Sequence, residues 1–355
     1  MNDLAPQPDA HAVRCRESGA LFADTISRIP AWLEEATHAA LPARPGTLGA
    51  IVTTGIGASE PPARLLAALL VQAGFAARFC STSAFAHAQP PRGDLLVSFS
   101  QGLSPNALLA LGETHGFARR WLVSSVGPDS PQPEKRAQRA LLEARGIEVI
   151  CLPPAREPAW LVRLAGPTVA ALGALRIAAL LGALPSLQDD IELAARAYRE
   201  GCREPSPEFA RLAAREGALP EEPLAFITLG ASLEGALAHR CKLMETLLVP
   251  EPPVWDVLQF AHGPLQAYFA APLTLLVLEG PSDGELVARL ASTLDASRHT
   301  LRRLISPYTG PAGLFAHAAA VDTLLAATLA ARPRDLTDWP AKRGDAPLYE
   351  LGRTP

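Results

Sequence analysis

A chain of 355 residues with a net charge of −4 at pH 7 is long enough for two domains of ordinary size. The slight acidity leaves no electrostatic footprint for nucleic acid, and no apolar run reaches the ~20 residues of a membrane span. The start, Met1-Asn-Asp-Leu-Ala-Pro, has neither the basic residues nor the apolar stretch of a signal peptide, so a cytoplasmic protein is expected.

Residues 1–45 read as an extension followed by a helix over Leu21–Ala40. Gly49–Thr54 is a β-branched run ending in glycine, the signal of a buried strand, and Pro62–Ala73 has the spacing of a helix. Further strands are expected at Ala77–Cys80, Asp94–Phe99, Trp121–Ser125 and Glu148–Leu152, with a helix at Asn106–His115. Pro167–Leu184 is apolar but for Arg176 and closes a first domain over 46–185. Ser186–Arg215 is charged and helical and reads as a connector, 186–220. A strand at Ala225–Gly230 then restarts the pattern in a second domain, 221–331, with a strand at Thr274–Leu278, a helix at Ser282–Ser297 and a tail over 332–355. Strands alternating with helices predict parallel sheets flanked by helices, an α/β fold in two similar halves.

Two small-residue turns follow strands in the first half and open helices: Gly55-Ile-Gly57-Ala-Ser59 and Ser98-Phe-Ser100-Gln101-Gly102-Leu-Ser104-Pro-Asn106. Helix N-termini offer unpaired N–H groups, glycine lets the backbone approach, and serine adds donors, a combination suited to phosphate. The competing reading is that Ser59 and Ser104 only cap helices. In the second half Lys242 and Glu245 stand at i and i+3, on one helix face, ahead of a His262-Gly-Pro264 turn. Lysine occurs at only three positions, Lys135, Lys242 and Lys342, so its use here requires an explanation. Glu245 and His262 make a candidate base and acid. His239 reads as a solvated helix residue and Cys241 as a buried, inert thiol. The five cysteines are scattered, odd in number and form no C-x-x-C pair, which fits reduced thiols. No histidine pair has ligand spacing with a carboxylate, so no metal or other cofactor is implied.

These segments resemble the double sugar-isomerase-domain (SIS) family, whose second half reads A-L-E-G-A-L-K-L-K-E and then E-L-K-H-G-P. Ala236–Glu245 and Gln259–Pro264 stand against those motifs, with Ala238 replacing the first glutamate and Gln259 another. The Ser98–Asn106 turn resembles the family loop S-x-S-G-x-T-x-D. The resemblance covers about residues 45–330 and implies two tandem flavodoxin-like SIS domains. It implies an enzyme that processes a phosphosugar or amino-sugar phosphate by isomerisation, deamination or deglycation. Glu245 would be the base, His262 would open the ring and Lys242 would orient Glu245. Gly57, Ser59, Ser100, Gln101, Gly102 and Ser104 would bind the sugar phosphate. It also implies a homodimer in which His262 reaches a neighbouring subunit's site. A sugar-phosphate sensor without turnover, and a divergent enzyme with a non-standard substrate, are the alternatives.

Overall fold

The computed structural model describes residues 9–112, 116–154, 157–203, 223–229, 233–340, 342, 344 and 346–349. Its first sheet is built from β1 (Ile51–Gly55), β2 (Ala77–Phe79), β3 (Gly93–Phe99), β4 (Phe117–Ser124) and β5 (Ile147–Cys151), all parallel, in the order β2-β1-β3-β4-β5. The second contains β6 (Leu224–Thr228), β7 (Val254–Asp256), β8 (Leu273–Glu279) and β9 (His299–Ile305), also parallel, in the order β7-β6-β8-β9. It has four strands, one fewer than the first sheet. In each sheet the strand order reverses beside the first strand, so the switch points lie beyond the carboxyl ends of β1 and β3, and of β6 and β8.

Strand residues alternate between faces, and the alternation divides the core. Ile51, Leu95 and Val97 face one side of the first sheet; Val52, Leu96 and Leu122 face the other. Phe226, Leu276 and Leu278 share the first of these clusters, while Ala225, Ile227, Leu275 and Val277 face away in a third. The two sheets thus share one central layer of helices. That layer comprises α1 (Ala10–Thr37), α2 (Glu60–Gln72), α4 (Ala165–Leu181), α5 (Leu187–Arg203), α6 (Leu233–Leu247) and α10 (Ala312–Ala331). α3 (Pro133–Ala144) lies on the outer face of the first sheet. α7 (Val257–Ala261), α8 (Pro264–Tyr268) and α9 (Gly284–Thr293) lie on the outer face of the second. A short turn of helix, α11, closes the described chain at Ala346–Tyr349.

Several expectations shift. α1 starts at Ala10, eleven residues before Leu21, capped by Asp9, whose side chain accepts from the His11 N–H at 3.0 Å. α5 is no bare connector: Ala194, Ala197 and Tyr198 are buried in the shared layer. The end of the expected helix at His115, the connector beyond Arg203 and the glycine at 230 fall outside the described residues. α10 is long and apolar enough to cross a membrane by composition, contrary to the reading of the sequence, yet it is a core helix, 67% of whose apolar window is buried. α4 is sealed in the same way, and its Arg176 guanidinium donates to the carbonyls of Ala36 and Ala39 at the end of α1, at 2.7 and 2.6 Å. The apolar circumference of α4 is therefore satisfied within one chain.

Candidate functional site at the carboxyl ends of the sheets

The turn after β1 is shaped by two glycines. A Cβ at Gly55 would lie 2.2 Å from the Ser59 carbonyl oxygen, and Gly57 takes a φ of 56°, which favours glycine. The result presents Ser59 at the start of α2. Ser59 makes no side-chain capping bond, and neither does Ser104. The capping alternative therefore fails for both.

Ser59 meets Ser100 and Gln101 from the β3 turn in a narrow crevice. Gly102 and Ser104 do not line it, so the loop contributes less than its spacing promised. Two residues missed in the sequence do line it: Ser124 and Ser125, at the end of β4. The signal was present, because this strand ends in a serine pair at the same sheet edge as Ser98 and Ser100. The Gln101 carbonyl ties the two turns together, accepting from Ser125 N–H at 3.0 Å and Ser124 Oγ at 3.1 Å. The Gln101 side chain donates to Glu157 at 2.6 Å. Glu157 in turn accepts from the N–H groups of Leu164 and Ala165, at 2.6 and 2.5 Å, at the start of α4. An internal carboxylate thus already sits on one helix N-terminus beside the crevice, as the helix dipole favours. Gly166 makes room for the amide: a Cβ there would lie 2.0 Å from Gln101 Oε1.

Pro167 also lines a second, narrow cleft, where the first turns of α2, α4, α6 and α10 converge. Each of these helices follows a strand of a parallel sheet, so each begins at the carboxyl edge. The cleft wall is apolar (Pro61, Pro62, Ala171, Leu314, Phe315) apart from Glu234, His239, Lys242 and Thr168. Burial pushes the Glu234 carboxyl up, with Arg64 opposing it and Glu60 adding to it, and Glu234 Oε2 is buried with no partner. His239 is 2% exposed, with both ring nitrogens unpartnered, packed 6.2 Å from the Phe226 ring. It is not solvated. Burial and the neighbouring Lys242 charge push its imidazole well below the usual histidine range. Cys241 is half-buried and its thiol is pushed up to about 11, chiefly by burial.

Lys242 does not orient Glu245. Its ammonium, 1% exposed, donates to both oxygens of Asp322 at 2.8 and 2.9 Å and to Thr168 Oγ1 at 3.1 Å. Tyr198 Oη donates to the same carboxylate at 2.6 Å. Glu245 lies near the end of α6, at the amino edge of the second sheet, and His262 is exposed at the end of α7. α6 packs on the inner face of that sheet and α7 on its outer face, so Glu245 and His262 of one chain do not form a pair. Glu234, in the first turn of α6, is a carboxylate at the carboxyl edge of the second sheet. Leu233-Glu234-Gly235-Ala236-Leu237 matches the L-E-G-A-L core of the family motif without a gap. That register places Ala238 and Cys241 where the motif has lysine and its second glutamate. Asp256 caps α7 through Leu258 N–H at 2.9 Å, and Trp255 packs 5.6 Å from Phe260, so both have structural tasks.

No protein-family model matches the sequence, and no curated protein matches it. Solved structures do match in fold. The C-terminal domain of glucosamine-fructose-6-phosphate aminotransferase from Francisella tularensis superposes with a TM-score of 0.66 at 13% identity, over 90% of this chain and 98% of that one. Glucosamine-6-phosphate deaminase from Thermotoga maritima gives 0.64 at 12% identity, over 91% and 97%. Tagatose-6-phosphate ketose/aldose isomerase from Escherichia coli gives 0.57 at 14%, over 92% and 94%. The fold is that of the double-SIS proteins: two parallel α/β sheets flanked by helices.

Proposed function

We propose that the chain binds a phosphorylated sugar in the serine crevice and moves a proton on it with Glu234. The observation that carries this reading is the convergence of Ser59, Ser100, Ser124, Ser125 and Gln101 at the switch point of the first sheet. Hydroxyl donors and helix N-termini there suit a phosphate. The three named structural relatives all handle 6-phosphorylated sugars by their names, which supports the same ligand class here.

The chemistry follows from position. Ring opening exposes a carbonyl at C1 or C2. A carboxylate then takes the proton from the neighbouring carbon, leaving an enediolate, and returns it to the other carbon. Glu234 is the group for this because burial raises its carboxyl, and a general base works best when its pKa lies near the working pH. Helix N-termini around the cleft would stabilise the enediolate oxygen. His262 enters, in this reading, from a second subunit. It stands beside exposed Leu258 and Phe269, 64% and 58% accessible, an apolar surface suited to pairing.

A second reading is ligand sensing without turnover. Ala238 and Cys241 in the motif's lysine and glutamate positions favour it. One experiment separates them: incubation with a panel of sugar phosphates in D₂O, followed by NMR. The enzyme reading expects exchange of the C1 or C2 proton, reduced about 10²–10⁴-fold in Glu234→Gln. Saturable binding without exchange supports the sensor.

A further inference from the structure

The starts of α2 and α4 both stand at the serine crevice, and they differ as anion sites. α2 opens Glu60-Pro61-Pro62, and proline has no N–H, so two of its first three residues offer no donor. α4 opens Ala165-Gly166-Pro167, with backbone N–H groups at Leu164, Ala165 and Gly166 ahead of its proline. The start of α4 is the better anion site of the two, and it is already taken. Glu157, half-buried in the segment between β5 and α4, accepts from Leu164 N–H at 2.6 Å and Ala165 N–H at 2.5 Å on one oxygen, and from the Gln101 amide at 2.6 Å on the other.

Gln101 and Gly166 both line the crevice, so this carboxylate stands one side chain behind its wall. None of its three donors carries a charge to balance it. Its charge is felt in the interior: burial pushes the Asp322 carboxyl up, Lys242 and Tyr198 oppose this, and Glu157 adds to it. The β4 end of the crevice is also tied up, because Ser124 Oγ and Ser125 N–H both donate to the Gln101 carbonyl. The crevice therefore meets a ligand chiefly with the hydroxyls of Ser59, Ser100 and Ser125.

Resting on the reading of this crevice as a phosphate site, we propose that Glu157 is its specificity-determining residue. It is a built-in anion that holds the helix start a phosphate would seek and repels a second anion brought beside it. Free phosphate is turned away, and a phosphorylated ligand enters only when contacts to its sugar add to those of the phosphate. Isothermal titration of the full chain with inorganic phosphate, fructose 6-phosphate and fructose tests this. Glu157→Gln, which keeps the shape and removes the charge, tightens both phosphorylated probes by about tenfold or more. The gain shrinks as salt is raised, fructose shows no such gain, and Glu157→Asp, which keeps the charge, shows none for any probe. Glu157→Ala gives the same reading if Glu157→Gln does not fold, and failure of both to fold would make the residue a helix cap and overturn the proposal. It is also overturned if Glu157→Gln weakens or leaves unchanged the phosphorylated probes, or if fructose or Glu157→Asp gains equally. When wild type prefers fructose 6-phosphate to fructose and Glu157→Gln gains nothing, the phosphate reading stands and this proposal alone falls. When no variant binds either phosphorylated probe, both fall.

Discussion

Lys242 and Asp322 form an ion pair that water does not reach, with the ammonium 2.8 and 2.9 Å from the two carboxylate oxygens and side chains 1% and 0% exposed. The pair joins α6 to α10 in the helical layer between the sheets. Tyr198 of α5 and Thr168 of α4 complete it, so four helices are fixed by one polar cluster. A lysine that is rare in this chain is used here to order the core.

Removing one partner strands the other. Lys242→Met should cost about 3–5 kcal/mol of stability, because it leaves an uncompensated buried carboxylate. The double variant Lys242→Met with Asp322→Leu should recover most of that loss. Chemical denaturation of the three proteins checks both statements. A double variant no more stable than Lys242→Met would show that the pair is not the unit of stabilisation.

Glu245 makes stability depend on pH in a specific direction. Its folded-state carboxyl at about 7 lies above the ordinary glutamate value near 4.5, so the folded chain holds the proton more tightly. Its share of stability is complete below about 4.5 and is lost as pH rises toward 7, roughly 3 kcal/mol at 1.36 kcal/mol per pH unit. Glu245→Gln should therefore flatten the fall in melting temperature between pH 5 and pH 8. An unchanged profile in that variant would show that other groups set the slope.

Gly166→Ala probes the crevice through packing. The added methyl would displace the Gln101 amide, a flexible side-chain end, and break its bond to Glu157. A small stability change, below about 1 kcal/mol, should accompany an altered affinity for sugar phosphate. Unaltered affinity would mean that the Gln101–Glu157 bridge does not shape the site.

Much of the fold was legible because its strands are short apolar runs: β1, β3 and β8 fall within two residues of their expected bounds. What escaped notice lacked a period. α10 is apolar all round, so no face stands out, and β7 is only three residues long. β9 carries Arg302 and Arg303 at a sheet edge, where Arg303 pairs with Glu279 at 2.5 Å, and charges of that kind hide a strand. In the site, Ser59, Ser100 and Gln101 were readable as turn chemistry. Glu234, proposed above as the base, was not, because the lysine drew the motif one helical turn further along α6. Sequence spacing put Lys242 and Glu245 on one face, but only the packing of α10 shows which carboxylate the ammonium meets.

The central claim is that a sugar phosphate is held by the serine crevice. Calorimetric titration of one sugar phosphate and its dephosphorylated form, against wild type, Ser100→Ala and Ser104→Ala, tests it most directly. Ser100→Ala should weaken the phosphorylated ligand by about tenfold or more, the loss of a hydrogen bond to a charged group. It should leave the dephosphorylated sugar little changed, and Ser104→Ala should bind like wild type. Equal weakening of both ligands, or a larger loss in Ser104→Ala, would contradict the account.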